Sequence, residues 1–225
     1  MEQHHRTEIV LAAVLACLAG YVDALGFIHM GGYFVSFMSG NSTRAGAMLA
    51  GGSWLGFGLA IGLVAAFLTG VVGGSLVRRA VPRRKRMVIL LCIAAILALA
   101  AAFHTFDAPP LLIALIPPMM ALAMGTENVV FERDGEVSIG LTYMTGTLVK
   151  MGQRIAARLS GEKGRGWVRY LYLWLALTAG SILGGLAYGA AGLNSLWFAV
   201  LAMLIAAWGE KFIRVRSPQI HTSET

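Results

Sequence analysis

Two short stretches of this chain set hydroxyl, aromatic, glycine and basic residues in the same order, and such residues can bind a polar solute. Residues 36–46 read SFMSGNSTRAG and residues 142–152 read TYMTGTLVKMG. Ser36-Phe37-Met38-Ser39-Gly40 is answered by Thr142-Tyr143-Met144-Thr145-Gly146. A base follows four positions after each glycine, Arg44 and Lys150. Upstream, Gly20-Tyr21-Val22-Asp23 is answered by Gly125-Thr126-Glu127-Asn128. An internal repeat that places polar groups in apolar surroundings is the usual trace of a transporter or channel built from two fused halves.

Each residue has a functional and a structural reading. Asp23 sits deep in an apolar run, where a carboxylate costs roughly 2.5–3.5 kcal/mol on insertion scales unless neutral, paired or beside water. Its sequence neighbours offer no partner, so one must come from elsewhere, with Arg44 and Lys150 as candidates. Asp23 is then a substrate or proton site, or half of a structural pair locking the two halves. Glu127 and Asn128 occupy the position matching Asp23 in the second half, allowing a one-residue shift, and a buried Glu127 would be a second titratable group. Arg44 and Lys150 each follow a glycine turn, at Gly40 and Gly146, at the start of an expected half-helix. A helix N-terminus carries partial positive charge, so the two ends with their cations would attract an anion. Equally, the cations would neutralise Asp23 and Glu127. Ser39, Asn41, Thr43, Thr145 and Thr147 would supply hydrogen bonds, and Phe37, Met38, Tyr143 and Met144 apolar walls. Glu132, Arg133, Asp134 and Glu136 read as a solvated turn. His29 is an interfacial anchor or a group titrating near neutral pH.

The elements that must hold these residues are membrane spans. The chain has 225 residues, of which 57% are hydrophobic and 13% charged, with mean hydropathy +0.72. A soluble domain cannot hide that much apolar surface. Six stretches are long and apolar enough to cross a bilayer: 9–29, 54–77, 87–105, 109–127, 168–190 and 194–213. Two less apolar segments, 33–51 and 137–157, hold the repeated motifs. The net charge of +7 and pI near 9.9 come mostly from three basic clusters beside the spans, 78–86, 154–169 and 211–216. That is a membrane-orientation signal rather than a nucleic-acid footprint.

The basic clusters decide the topology. If both motif segments crossed, one cluster would fall outside whichever way the protein sat. If both enter and leave on the same side, six spans with a cytoplasmic N-terminus put all three clusters in the cytoplasm. Each half then makes three crossings, so the second half is inserted upside down. GxxxG pairs recur at Gly70/Gly74 and Gly180/Gly184; such faces let helices approach closely, within one chain or between two copies. Pro109-Pro110 should start a span and Pro117-Pro118 kink one.

Other chemistry finds little support. Cys17 and Cys92 both lie in apolar spans and read as packing residues, with no metal-ligand partner at useful spacing. The sequence has no HExxH, GxSxG or P-loop, so no enzyme is expected. Asn41-Ser42-Thr43 matches a glycosylation sequon but falls inside the motif segment, which discounts it. The start, MEQHHRTE, is a poor signal-peptide n-region, and the first span reads as retained.

At GYVDALGF (20–27), FVSFMSGNSTRAG (34–46), GTEN (125–128) and MTGTLVKMG (144–152) the chain resembles the YoaK family, bacterial inner-membrane proteins grouped under a domain-of-unknown-function label. The resemblance spans nearly the whole chain. The family pattern usually carries Gln before the second-half Asn, where this chain has Glu127, which changes the charge there. The resemblance implies a bacterial multi-pass membrane protein of about this length and supplies no activity.

The expectation is an all-α integral membrane protein with six transmembrane helices and two re-entrant or broken segments, arranged as two inverted-topology repeats. The repeats are 1–107 and 108–216, with a polar tail at 217–225. Its expected role is moving a small polar or anionic solute across the bacterial inner membrane, passively or coupled to protons or sodium. No cofactor or metal is expected, and both termini should be cytoplasmic. The site residues are Asp23, Ser39, Gly40, Asn41, Arg44, Glu127, Asn128, Thr145, Gly146, Thr147 and Lys150. A gated channel, or a non-transporting membrane assembly partner, are the alternatives. A homodimer would rest on the GxxxG faces.

Overall fold

The computed structural model describes residues 2–133, 136–137, 144–161 and 166–215, without the side chains of 2–7, 133, 136–137 and 211–215. Tyr143, Asp134, Gly135, Gly140 and the expected tail at 217–225 lie outside these residues. The described chain is almost wholly helical: α1 (Glu2–His29), α2 (Met38–Ala50), α3 (Trp54–Ala80), α4 (Lys85–Thr105), α5 (Pro110–Ile113), α6 (Ile116–Glu127), α7 (Met144–Leu159), α8 (Trp167–Ala191) and α9 (Leu196–Val215). A 3₁₀ turn, Asn128–Phe131, continues α6. Strands of two residues each, β1 (Glu132–Arg133) and β2 (Glu136–Val137), pair antiparallel after it.

The long helices are apolar all round because lipid offers no hydrogen bonds to an open backbone. Five described stretches are long and apolar enough to cross a membrane, and the last, Trp167–Glu210, contains α8 and most of α9. Their outward side chains, among them Leu55, Leu68, Leu186 and Phe198, are exposed as a lipid-facing surface requires. Sequence punctuation sets the ends. The Ser53 side chain caps α3 by accepting from Gly56 N–H at 3.3 Å. The two proline pairs split the expected span 109–127 into α5 and α6, with Pro117 and Pro118 in the first turn of α6.

Contacts at the helix ends fix the directions. Arg86 at the start of α4 bonds Glu8 near the start of α1 and Glu210 near the end of α9. We call this side the N-terminal face. On the opposite face His29 meets Tyr188 at the end of α8, and Thr105 at the end of α4 meets Asn194 and Trp197 at the start of α9. Arg78 near the end of α3 reaches the carbonyls of Val130 and Glu132, just past α6, so α3 and α6 both finish on the N-terminal face. The crossing helices are therefore α1, α3, α4, α6, α8 and α9. The chain leaves α1 and enters α3 on the opposite face, so α2 lies on a segment that enters and leaves there. It leaves α6 and enters α8 on the N-terminal face, so α7 lies on a segment that enters and leaves on that side.

The core is a seam between the halves. α1 packs on α8, and α3 packs on α6. A Cβ on Gly180 would strike the carbonyl of Cys17, and one on Gly184 that of Tyr21. In the other pair a Cβ on Gly70 would strike the carbonyl of Leu122, and one on Gly74 would crowd Thr126. Gly20 lies against the Leu177 carbonyl, and Gly125 against that of Phe67. The Gly70/Gly74 and Gly180/Gly184 faces are thus occupied inside one chain, α3 against α6 and α8 against α1.

Candidate functional site

The first motif builds a loop that dips back along α1. Gly31 and Gly32 turn the chain with φ of +62° and +102°, values that favour glycine, and Gly32 N–H bonds Phe27 O at 2.8 Å to close the end of α1. Residues 33–37 then return beside α1 as irregular backbone, which is tolerated at membrane depth only where its polar groups find partners. Three motif side chains supply them. Asp23 Oδ1 accepts the N–H groups of Val35 at 2.8 Å and Ser36 at 2.7 Å. Asn41 Oδ1 accepts Phe34 N–H at 2.9 Å while its Nδ2 donates to Phe34 O at 2.7 Å. Arg44 donates from Nη1 to Gly32 O at 2.8 Å and from Nη2 to Gly31 O at 3.1 Å, with its guanidinium 4.1 Å from the centre of the Tyr33 ring. Tyr33 OH in turn donates to Gly56 O at 3.3 Å, tying the loop to α3.

Asp23 and Arg44 therefore work on opposite ends of one loop. No hydrogen bond or ion pair joins them among the described residues. Asn41 is fully buried with both ends of its amide engaged, consistent with discounting the sequon. Gly40 lies in the first turn of α2 rather than forming a turn before it, and a Cβ there would meet the Phe37 ring. Ser39 and Thr43 are exposed, and the Thr43 hydroxyl donates to Ser39 O at 3.2 Å within the helix.

In the second half Met144 starts α7 against the core and Thr147 is buried, whereas Thr145, Gly146 and Lys150 are exposed. Residues 138–143, which correspond to the dipping loop, lie outside the described residues. Asn128, the counterpart of Asp23, donates to Met124 O at 3.0 Å. Thr126 donates to Leu122 O at 2.9 Å and to Gly70 O at 3.2 Å, tying α6 to α3. Glu127 is fully buried, and neither carboxyl oxygen has a hydrogen-bond partner. Glu132, read from sequence as part of a solvated turn, is held instead by the Ser75 hydroxyl at 3.0 Å and, through its carbonyl, by Arg78 at 2.6 Å.

Sequence reasoning missed the Arg86 cluster. Arg86 pairs with Glu8 at 2.8 Å and Glu210 at 3.4 Å, and its guanidinium lies 5.3 Å from the centre of the buried Phe131 ring. The available signal was Glu210, an acid inside the last apolar span that needs a partner.

With this geometry in place, comparison with known proteins assigns the chain to a family. The family model described as "Protein of unknown function (DUF1275)" matches residues 11–209. This chain belongs to the DUF1275 family. It is also similar to UPF0700 transmembrane protein RA0705 of Rhizobium meliloti (strain 1021), with 33% identity over 218 residues covering 92% of each chain. No solved structure matches it. The DUF1275 match runs from α1 into α9, so it covers both motifs and the Gly70/Gly74 and Gly180/Gly184 seams. The YoaK-like resemblance and the membrane assignment agree with both findings. This DUF1275 chain is thus a multi-span helical membrane protein.

Proposed function

We propose that this DUF1275 chain carries a small polar or anionic solute across the bacterial inner membrane, passively or coupled to an ion, on a scaffold of two inverted repeats. The observation that carries the reading is the paired architecture. α1, α3 and α4 cross in the sense opposite to α6, α8 and α9, and each set contains one motif-bearing helix that starts and ends on one face. Inverted repeats with broken helices entering from the two faces are a recurrent carrier plan. The two glycine seams support it, since the contacts of Gly180 and Gly184 on α1 are repeated by Gly70 and Gly74 on α6. In this reading Asp23, Asn41 and Arg44 shape the first dipping loop. The exposed Ser39, Thr145 and Lys150 are the motif groups left to meet solute, and the termini are cytoplasmic. Catalysis has no part in it.

The test is uptake of labelled anionic and polar solutes into proteoliposomes containing the full chain. Saturation and counterflow mark a carrier, and unsaturable flux without counterflow marks a gated channel on the same scaffold. Lys150→Gln should lower anion uptake at least fivefold while the protein stays folded. A second reading, a non-transporting membrane assembly partner, is favoured by the engagement of Asp23, Asn41 and Arg44 with their own loop's backbone. Absence of flux for every solute, with the protein correctly inserted, selects that reading.

A further inference from the structure

We propose that Glu127 is a proton-carrying group, reached from the N-terminal face past Phe131 and the Arg86 ion cluster. The transport reading above gives this proton its use, but the protonation itself stands apart from it.

The surroundings of Glu127 are closed and its chemistry is unanswered. Its neighbours Thr126 and Asn128 donate to backbone carbonyls, yet both Glu127 oxygens lack a partner at zero exposure. The matching position in the first half is Val22, also fully buried, so an aliphatic side chain fits the equivalent place in α1. A carboxyl group there contributes little to packing, and as an isolated charge it would be very costly. It needs a proton or a bound cation.

A proton is the better occupant. Hard metal cations take several oxygen ligands, whereas a proton needs one oxygen. Among the described residues no group of three or more His, Cys, Asp or Glu could hold a metal ion. Arg79 on α3 and Lys85 on α4 are exposed, and the less exposed charged groups on the elements packed around α6 bond to other partners. On α3, Arg78 donates to Val130 and Glu132. On α4, Arg86 pairs with Glu8 of α1 and Glu210 of α9. Deeper in α1, Asp23 accepts from Val35 and Ser36.

The route follows from position. Phe131 lies one helical turn beyond Glu127 on the way to the N-terminal face, and its buried ring faces Arg86. Arg86 is held in place by two carboxylates, both able to pass protons. Parting of this cluster would uncover Phe131 and then Glu127.

Infrared difference spectroscopy of the full chain tests this without a known solute. A carboxylic-acid C=O band is expected that fades as pH rises and is missing in Glu127→Gln. Carbodiimide treatment of the unaltered protein should give an adduct on Glu127, found by mass spectrometry, and this readout needs no variant to fold. Arg86→Gln should speed deuterium exchange of the band at least tenfold. A band unchanged in Glu127→Gln, or no adduct on Glu127 across acid and neutral pH, overturns the proton assignment. An exchange rate untouched by Arg86→Gln overturns the route. If the band titrates but no solute moves, the transport reading fails and the proton site stands. If solute moves and no band is found, only the proton assignment fails.

Discussion

Asn41 holds Phe34 by both of its backbone groups, accepting the N–H at 2.9 Å and donating to the carbonyl at 2.7 Å. An amide is suited to this task, since one planar group supplies an acceptor and a donor side by side. The most distinctive polar residue of the first motif thus stands in for a missing strand partner. Asn41→Ala would leave two part-buried backbone groups unpaired at a cost of about 1–2 kcal/mol. The expected outcome is a lower melting temperature in detergent, and unchanged melting would show that water replaces the amide.

Asp23 lends itself to a graded series. An asparagine side chain still offers an oxygen to the N–H groups of Val35 and Ser36, but the bonds lose the assistance of a full charge. Asp23→Asn should therefore retain the fold with modest loss of stability, and Asp23→Ala should loosen the loop. A cysteine placed at Ser36, buried in the intact protein, should react slowly in Asp23→Asn and at least tenfold faster in Asp23→Ala. Equal rates would remove Asp23 from the loop's support.

The glycine seams predict sharp differences between neighbouring positions. Gly180→Ala and Gly70→Ala each push a methyl group into a backbone carbonyl of the facing helix, and overpacking of this kind costs about 1–3 kcal/mol. Gly58→Ala and Gly62→Ala meet nothing within 4 Å and should be neutral or slightly stabilising. Thermal melting of the four variants checks the contrast, and a uniform response would argue against the seam.

The Arg86 cluster predicts a rescue. Arg86→Met removes the guanidinium that Glu8 and Glu210 share, and losing one partner of a largely buried pair costs about 3 kcal/mol. Adding Glu210→Gln removes one of the two acidic charges that faced Arg86 and should recover part of that stability. A double variant no better than Arg86→Met alone would show that Glu210 is satisfied by other contacts.

Topology is measurable directly. In a background lacking Cys17 and Cys92, single cysteines at Ser53, Ala108 and Gly192 should react with an impermeant thiol reagent from one face only. Those at Arg84 and Gly161 should react only after permeabilisation. Labelling of Arg84 from outside, or of Ser53 only after permeabilisation, would make the α2 segment a true crossing.

Much of this architecture could be read from residue types. The count of apolar stretches gave the six crossings, and the basic clusters gave the same-face entry of the α2 and α7 segments. Pro117-Pro118 marked the break before α6. The roles inside the first motif were not legible. Asp23 and Arg44 carry opposite charge, which suggested a pair, but the irregular loop between α1 and α2 exposes backbone groups of both signs. Each side chain meets those groups first. Sequence shows side-chain charge and hides backbone demand, so a loop can absorb ions that look destined for each other. Glu127 posed the reverse problem. Its type was visible, while its isolation depended on how α6 turns its faces toward α3 and α4.

The seam bears on how the chain is made. α1 emerges from the ribosome early, yet the helix that covers its Gly20 flank, α8, begins at Trp167. α3 finds α6 sooner, with α4 and α5 intervening. During synthesis the first helix must therefore wait in the bilayer with its docking flank open to lipid or to an insertion factor, and only the late arrival of α8 closes it. An early stop in translation leaves an orphan α1 rather than a smaller working protein, and quality-control proteases would have that open flank to recognise.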